Sequence, residues 1–463
     1  MRSWNSPRAP DSWLSCRAIL AALALSSGLG ACGGDESIRL TVATVSNPDM
    51  RVMEQLDEEF ERIHPGIRVE WVILPENELR TRITADIATG AGSFDVVTVG
   101  NYEVPIWAEN GWIASIDSLM EAHPQSVQAD YDREDLLTPV RTALTADGEL
   151  RALPFYAESS MLYYNRDLLK DAGLSLSAQP TWSEVREIAC RLHSPEEGRY
   201  GIVLRGLPGW GEVMAPLTTV VNTFGGRWFD LQWQPQLTSE EWREAVGFYV
   251  GLLRECGPPG ATGIGFTEAL TLMAQGRAAM WVDATVAAGF LSDPAESRVA
   301  GSIGFAPAPV GPVPKGNHWL WVWSLAIPVT SERQSEALAF ITWATSRDYI
   351  TLVGEREGWD RVPPGTRTST YERPEYVSAA PFAPLVFEAI RTADPTDPTR
   401  DPVPYQGIQF VGIPEFQGLG TDVSQHIADA LAGNISVDEA LVRGQRAVRE
   451  TLTRAGYYEP RVR

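Results

Sequence analysis

The chain is poor in lysine, histidine and cysteine, and each scarcity closes off a class of function. Lysine occurs only at Lys170 and Lys315 among 38 basic residues, while 60 acidic residues bring the formal charge to −22. So acidic a chain repels phosphate backbones and anionic headgroups, so neither nucleic acid nor electrostatic adhesion to lipid is expected. A strongly anionic ligand is disfavoured for the same reason. The five histidines are scattered without convincing partners. No His-Glu-x-x-His zinc motif, Gly-x-Ser-x-Gly elbow or phosphate loop occurs, so no metal and no cofactor is expected. With this many acidic residues, carboxylate pairs are unavoidable and do not argue for a glycosidase. Internal repeats and a second long hydrophobic run are also missing.

The N-terminus, by contrast, has the pattern of a targeting segment. Arg2, Arg8 and Arg17 supply positive charge, and Ala18 to Leu25 is an unbroken apolar stretch. That stretch is too short for the roughly 20 residues that span a bilayer. It leads into Leu29-Gly30-Ala31-Cys32, which resembles the lipobox of bacterial lipoproteins. The resemblance implies cleavage after residue 31, a lipid on Cys32, a flexible tether over 32–37, and an exported protein anchored at the cell envelope. The alternative is a soluble secreted protein with a chance cysteine. Removing residues 1–31 takes away three arginines and one aspartate, so the mature chain carries about −24. Of four cysteines, Cys16 leaves with the leader and Cys32 carries lipid. Cys190 and Cys256 are left either to pair in an oxidising compartment or to stay as buried thiols.

Tryptophan is abundant, at sixteen. Some indoles must be core, but flat aromatic faces also stack on the C–H faces of sugars and polyols while the N–H bonds a hydroxyl. The folded sequence starts with a strand over residues 38–45, a helical pattern over 49–63, a strand over 67–74 and an amphipathic helix over 76–89 stopped by Gly90. A third strand, Phe94 to Val99, is apolar enough for burial on both faces. This alternation predicts βαβ units, with ligands on the loops beyond the strands' carboxyl ends at residues 46–49 and 100–103. Further on, Thr181 and Glu184 form a capping signature for a helix over 182–192. Residues 304–306 and 319–328 are strand-like, 332–346 is helical, and the proline-rich 394–404 is a loop.

Several motifs then recur in an order and spacing resembling the sugar-binding family of ABC-importer extracellular solute-binding proteins. They are Phe94-Asp95-Val96-Val97 before Asn101-Tyr102-Glu103, Leu153-Pro154-Phe155-Tyr156 before Glu158, Pro180-Thr181-Trp182, Phe224-Gly225-Gly226, Met280-Trp281-Val282-Asp283 and Trp323-Ser324-Leu325-Ala326-Ile327-Pro328. Within that family, Tyr102-Glu103-Val104-Pro105-Ile106-Trp107, Pro363-Pro364-Gly365-Thr366-Arg367 and Ile413-Pro414-Glu415-Phe416-Gln417 look most like the sorbitol and mannitol receptors. The resemblance implies an α/β, two-lobed periplasmic-binding-protein fold of the Venus-flytrap type with hinge-connected lobes. Residues 38–154 plus 326–360 would make the first lobe, and 155–325 plus 361–463 the second. It also implies a small polyhydroxylated ligand, an ABC permease as partner, and a monomeric receptor rather than an enzyme. Rival readings are a receptor for another mono- or oligosaccharide, and an exported carbohydrate-active enzyme.

A neutral polyol needs carboxylates and amides to take its hydroxyl hydrogens, donors for its oxygens, and aromatic walls. The resemblance makes Glu158, Asp283 and Trp323 ligand contacts; the structural alternatives are a hinge ion pair for Glu158 and core packing for Trp323. Trp210, between two glycines, is either a stacking wall or loop packing. Asn47, Asn101 and Tyr102 are the expected first-lobe contacts. Arg367 either donates to a hydroxyl or neutralises a carboxylate, and Gln417 lies on a late loop.

Overall fold

The computed structural model describes residues 37–458. Cys32, the leader expected over 1–31 and nearly all of the tether expected over 32–37 lie outside the described residues. Among the described residues eleven strands run in chain order: β1 (Ile38–Val45), β2 (Ile67–Leu74), β3 (Val96–Gly100), β4 (Thr145–Ala146), β5 (Glu149–Leu150), β6 (Leu153–Glu158), β7 (Ser160–Asn165), β8 (Tyr200–Val203), β9 (Ala278–Ala284), β10 (Ile303–Pro307) and β11 (Trp321–Ala326). They form a five-stranded sheet in the order β2-β1-β3-β11-β6, a four-stranded sheet in the order β10-β7-β9-β8, and the small β4-β5 hairpin. Two sheets, each with its own helices, are the two lobes.

The first sheet begins as the sequence predicts. β1 pairs in parallel with β2 and β3, and the helix Glu76–Thr89 between β2 and β3 stops at Gly90, whose φ of 66° only glycine adopts freely. β3 is buried at every residue. The pattern over 49–63 resolves into two helices, Pro48–Gln55 and Asp57–Ile63, because Leu56 leaves helical geometry with φ −100° and ψ 4°. That turn seats Phe60 edge-on against Phe340, with ring centroids 5.2 Å apart.

β11 returns antiparallel between β3 and β6. Its first residues therefore lie beside the carboxyl ends of its neighbours: Trp323 is opposite Gly100 and Trp321 opposite Glu158. The expected lobe boundaries at 154/155 and 325/326 fall inside β6 and β11, both of which the ladder keeps whole in the first sheet. Residues 367–373, expected in the second lobe, instead bond first-lobe groups: Arg367 reaches Asp135 and Arg373 reaches Thr351.

In the second lobe, the helix Trp182–Leu192 starts on the expected Thr181–Glu184 capping box. Cys190 and Cys256 are joined, tying that helix to the helix Glu240–Cys256. Of the tryptophans, Trp228, Trp242 and Trp281 are fully buried core. No helix among the described residues is long and apolar enough to cross a membrane.

Candidate functional site

The carboxyl ends of β1, β2 and β6 and the start of β11 face residues of the second lobe across a cavity of about 390 Å³. This volume lies within the range of small-molecule sites. The first lobe contributes Asn47 after β1, Glu76 after β2, and Tyr156 and Glu158 at the end of β6. β11 and the residues before it add Trp319, Trp321 and Trp323, and the second lobe adds Arg205, Trp210, Glu212 and Phe266.

Asn47 is fixed because it caps the helix Pro48–Gln55: its Oδ1 accepts from the Met50 N–H while its Nδ2 donates to Tyr156 Oη at 2.9 Å. Trp321 can lie over the end of β3 only because residue 100 is glycine. A Cβ there would overlap the Trp321 ring and come within 2.7 Å of Glu103 Oε2. Glu158 has no hydrogen-bond partner among the described residues; burial pushes its carboxyl up to about 8. The Arg205 charge opposes that push, and Asp283, Asp49 and Glu76 add to it. Trp319 also lines the cavity, and its indole N–H is buried without a partner among the described residues. The site thus offers an acceptor, a donor and several flat apolar walls.

Four of the expected residues, Asn47, Glu158, Trp210 and Trp323, line this cavity together. Asp283 does not. It is fully buried one layer back, where Arg205 Nη2 donates to it at 2.6 Å and Nε at 2.9 Å. Its effect on the site is to orient Arg205, whose Nη1 donates to the Gly211 carbonyl at 2.9 Å. Asn101 is spent on β11, accepting from the Val322 N–H at 2.9 Å, and Tyr102 donates to the Ile413 carbonyl at 2.7 Å. Gln417 donates to Glu103 Oε1 at 3.0 Å rather than facing the cavity. Arg367 is fully buried and bonded to Asp135 and to backbone carbonyls, so of its two sequence readings the neutralising one matches its surroundings.

Sequence reasoning missed Arg205, Glu76, Glu212 and Tyr156. Glu76 had a signal: it follows a strand of the parallel set, as Asn47 does. Arg205 had none, because only the pairing of β8 with β9 brings residue 205 beside Asp283.

Residues 45–350 match the model of the bacterial extracellular solute-binding protein family. The chain belongs to this family. Membership makes it an exported receptor rather than an enzyme. A mannitol-binding protein of Pseudomonas aeruginosa is 48% identical over 443 residues, covering 96% of this chain and 99% of the relative. The crystal structure of an ABC transporter solute-binding protein from Agrobacterium vitis with bound D-mannitol is 49% identical, with a TM-score of 0.87 over 91% of this chain and 100% of that one. A second, from Agrobacterium radiobacter in complex with ribitol, is 25% identical, with a TM-score of 0.78 over 90% of this chain and 99% of that one. The family fold accounts for the two sheets and for the cavity between them.

Proposed function

We propose that this receptor captures an acyclic sugar alcohol of the mannitol type in the cavity between its lobes and delivers it to an ABC permease. The observation that carries this reading is near-half identity, over almost the whole length, to a structure holding D-mannitol. The chemistry of the cavity agrees. Glu158 would accept from adjacent hydroxyls, Trp319 and Arg205 would donate to hydroxyl oxygens, and Trp323 and Trp210 would cover the C–H faces. The negative surroundings of Glu158 favour a neutral ligand over a sugar acid or sugar phosphate.

Thermal unfolding with a panel of solutes tests this. D-Mannitol, D-sorbitol and ribitol are expected to raise the melting temperature by several degrees at saturating concentration, since a ligand at a hundred times its Kd stabilises by about 2.7 kcal/mol. Maltose is expected to have no effect. A rise with maltose alone would overturn the polyol assignment.

The reading includes a lipid on Cys32, supported by the Leu29-Gly30-Ala31-Cys32 motif. Cys32→Ser is expected to move the protein from the membrane fraction to the soluble fraction of its host. Unchanged partitioning on fractionation would remove the anchor from the proposal.

A further inference from the structure

One cation sits where the lobes meet and is not itself part of the cavity wall. Arg80 belongs to the helix Glu76–Thr89 of the first lobe. Its guanidinium carbon lies 5.7 Å and 5.5 Å from the ring centroids of Trp321 and Trp323, on the first sheet, and 4.8 Å from that of Trp210. Trp210 moves with the second lobe, because the adjoining Gly209 N–H donates to Ser424 Oγ at 2.8 Å and Gly211 is held by Arg205. Arg80 also pairs with Glu76, which lines the cavity, and with Glu103, to which its Nε donates at 2.6 Å. The Glu103 oxygen taking that bond also accepts from Gln417, on the second-lobe helix Phe416–Ala432. Burial works against the charge on Arg80, but Glu103 and Glu76 outweigh it and keep the guanidinium protonated.

We propose that Arg80 is a clasp between the lobes, a positioning residue that sets how long the receptor stays closed on its ligand. The proposal rests on the cavity being the polyol site. Separating the lobes would leave Arg80 with its first-lobe partners but take away the Trp210 face, and would take Gln417 from Glu103. These contacts exist only when the lobes are together, so they slow opening without slowing encounter. Glu76 joins the clasp to the ligand, since one carboxylate both lines the cavity and pairs with Arg80.

Stopped-flow tryptophan fluorescence of the full exported chain with D-mannitol tests the clasp by separating association from dissociation. A partly desolvated cation–π contact, intermediate between exposed and fully desolvated pairs, corresponds to about a tenfold change in rate. Arg80→Met is therefore expected to raise the dissociation rate about tenfold and leave the association rate within about twofold. Gln417→Ala, which removes only the bond to Glu103, is expected to raise dissociation about threefold and keeps the test open should Arg80→Met not fold. In Arg80→Met, Gln417→Ala should add less than its separate effect, because both act through Glu103. Unchanged dissociation in Gln417→Ala, or an effect of Arg80→Met on association alone, overturns the clasp. A wild-type protein that responds to neither D-mannitol nor ribitol overturns the polyol reading itself, and the clasp with it.

Discussion

Glu158→Ala is expected to weaken polyol binding about a hundredfold and, in the same protein, to make the empty receptor more stable at alkaline pH. The two effects have opposite signs because Glu158 has no hydrogen bond to lose among the described residues, and burial outweighs the attraction of Arg205. A carboxylate accepting from two hydroxyls makes charge-assisted bonds worth about 1.5–3 kcal/mol each; losing both would weaken binding about a hundredfold or more. In the empty receptor the same carboxyl is held up to about 8 by burial and by its acidic neighbours. The unfolded chain releases that proton in the ordinary carboxylate range. Between that range and pH 8 the folded state therefore holds the extra proton, and stability falls as pH rises. Above pH 8 the loss is complete. The alanine variant lacks this slope, so its melting temperature should gain on wild type as pH climbs from 5 to 9. Ligand hydroxyls donate best to the carboxylate, so wild-type affinity should rise over the same interval and that of Glu158→Gln should stay flat. Calorimetric titration and thermal melts across that range check all three. Undiminished affinity in Glu158→Ala would remove Glu158 from the site.

What was legible in the sequence follows from how local the signals are. β1, β2 and the helix Glu76–Thr89 are written in period and punctuation, and Gly90 marks the stop. The resemblance of ordered motifs supplied the family and the two-lobed fold. The lobe boundaries were not legible, because β11 is inserted between β3 and β6 by pairings that join residue 100 to residue 323 and residue 158 to residue 321. The same non-local pairing decides which tryptophans face the cavity. Trp319, Trp321 and Trp323 alternate in a way that puts them on one face of the strand, but only the register against Gly100 and Glu158 fixes what that face meets. Polar candidates divided on a similar point. Asn47 and Glu158 end strands at the cavity, whereas Asn101 and Tyr102, equally well placed in the chain, have their hydrogen-bonding groups spent on Val322 and Ile413. A motif residue shared with a family identifies a position that matters; it does not separate touching the ligand from holding the position that does.

Arg367 makes that distinction measurable, since Arg367→Met is expected to cost about 3–5 kcal/mol of stability and leave polyol affinity unchanged. The side chain is fully buried. Nε donates to the Thr345 carbonyl at 2.9 Å, and Nη1 donates to the Asp132 carbonyl at 2.9 Å and to Asp135 Oδ2 at 3.1 Å, while the guanidinium carbon lies 4.8 Å from the ring centroid of Tyr131. Removing one partner of a buried ion pair strands the other, which is the costly way to break it. Asp135 keeps Arg347 and Ser369, at 2.8 Å and 2.7 Å, so the loss belongs at the low end of that range unless the two carbonyls also go unpaired. Burial alone would raise the Asp135 carboxyl, but the hydrogen bonds from Arg347, Ser369 and Arg367 outweigh it and bring it down to about 2. A depressed carboxyl contributes stability above its ordinary value and loses it as pH falls toward the depressed one. The stability gap between wild type and Arg367→Met should therefore be full at neutral pH and narrow as pH drops from about 4 to 2. Urea unfolding across that range measures the gap, and calorimetric titration of the folded variant with D-mannitol measures affinity. Lost affinity with unchanged stability would return Arg367 to the ligand and refute its structural role.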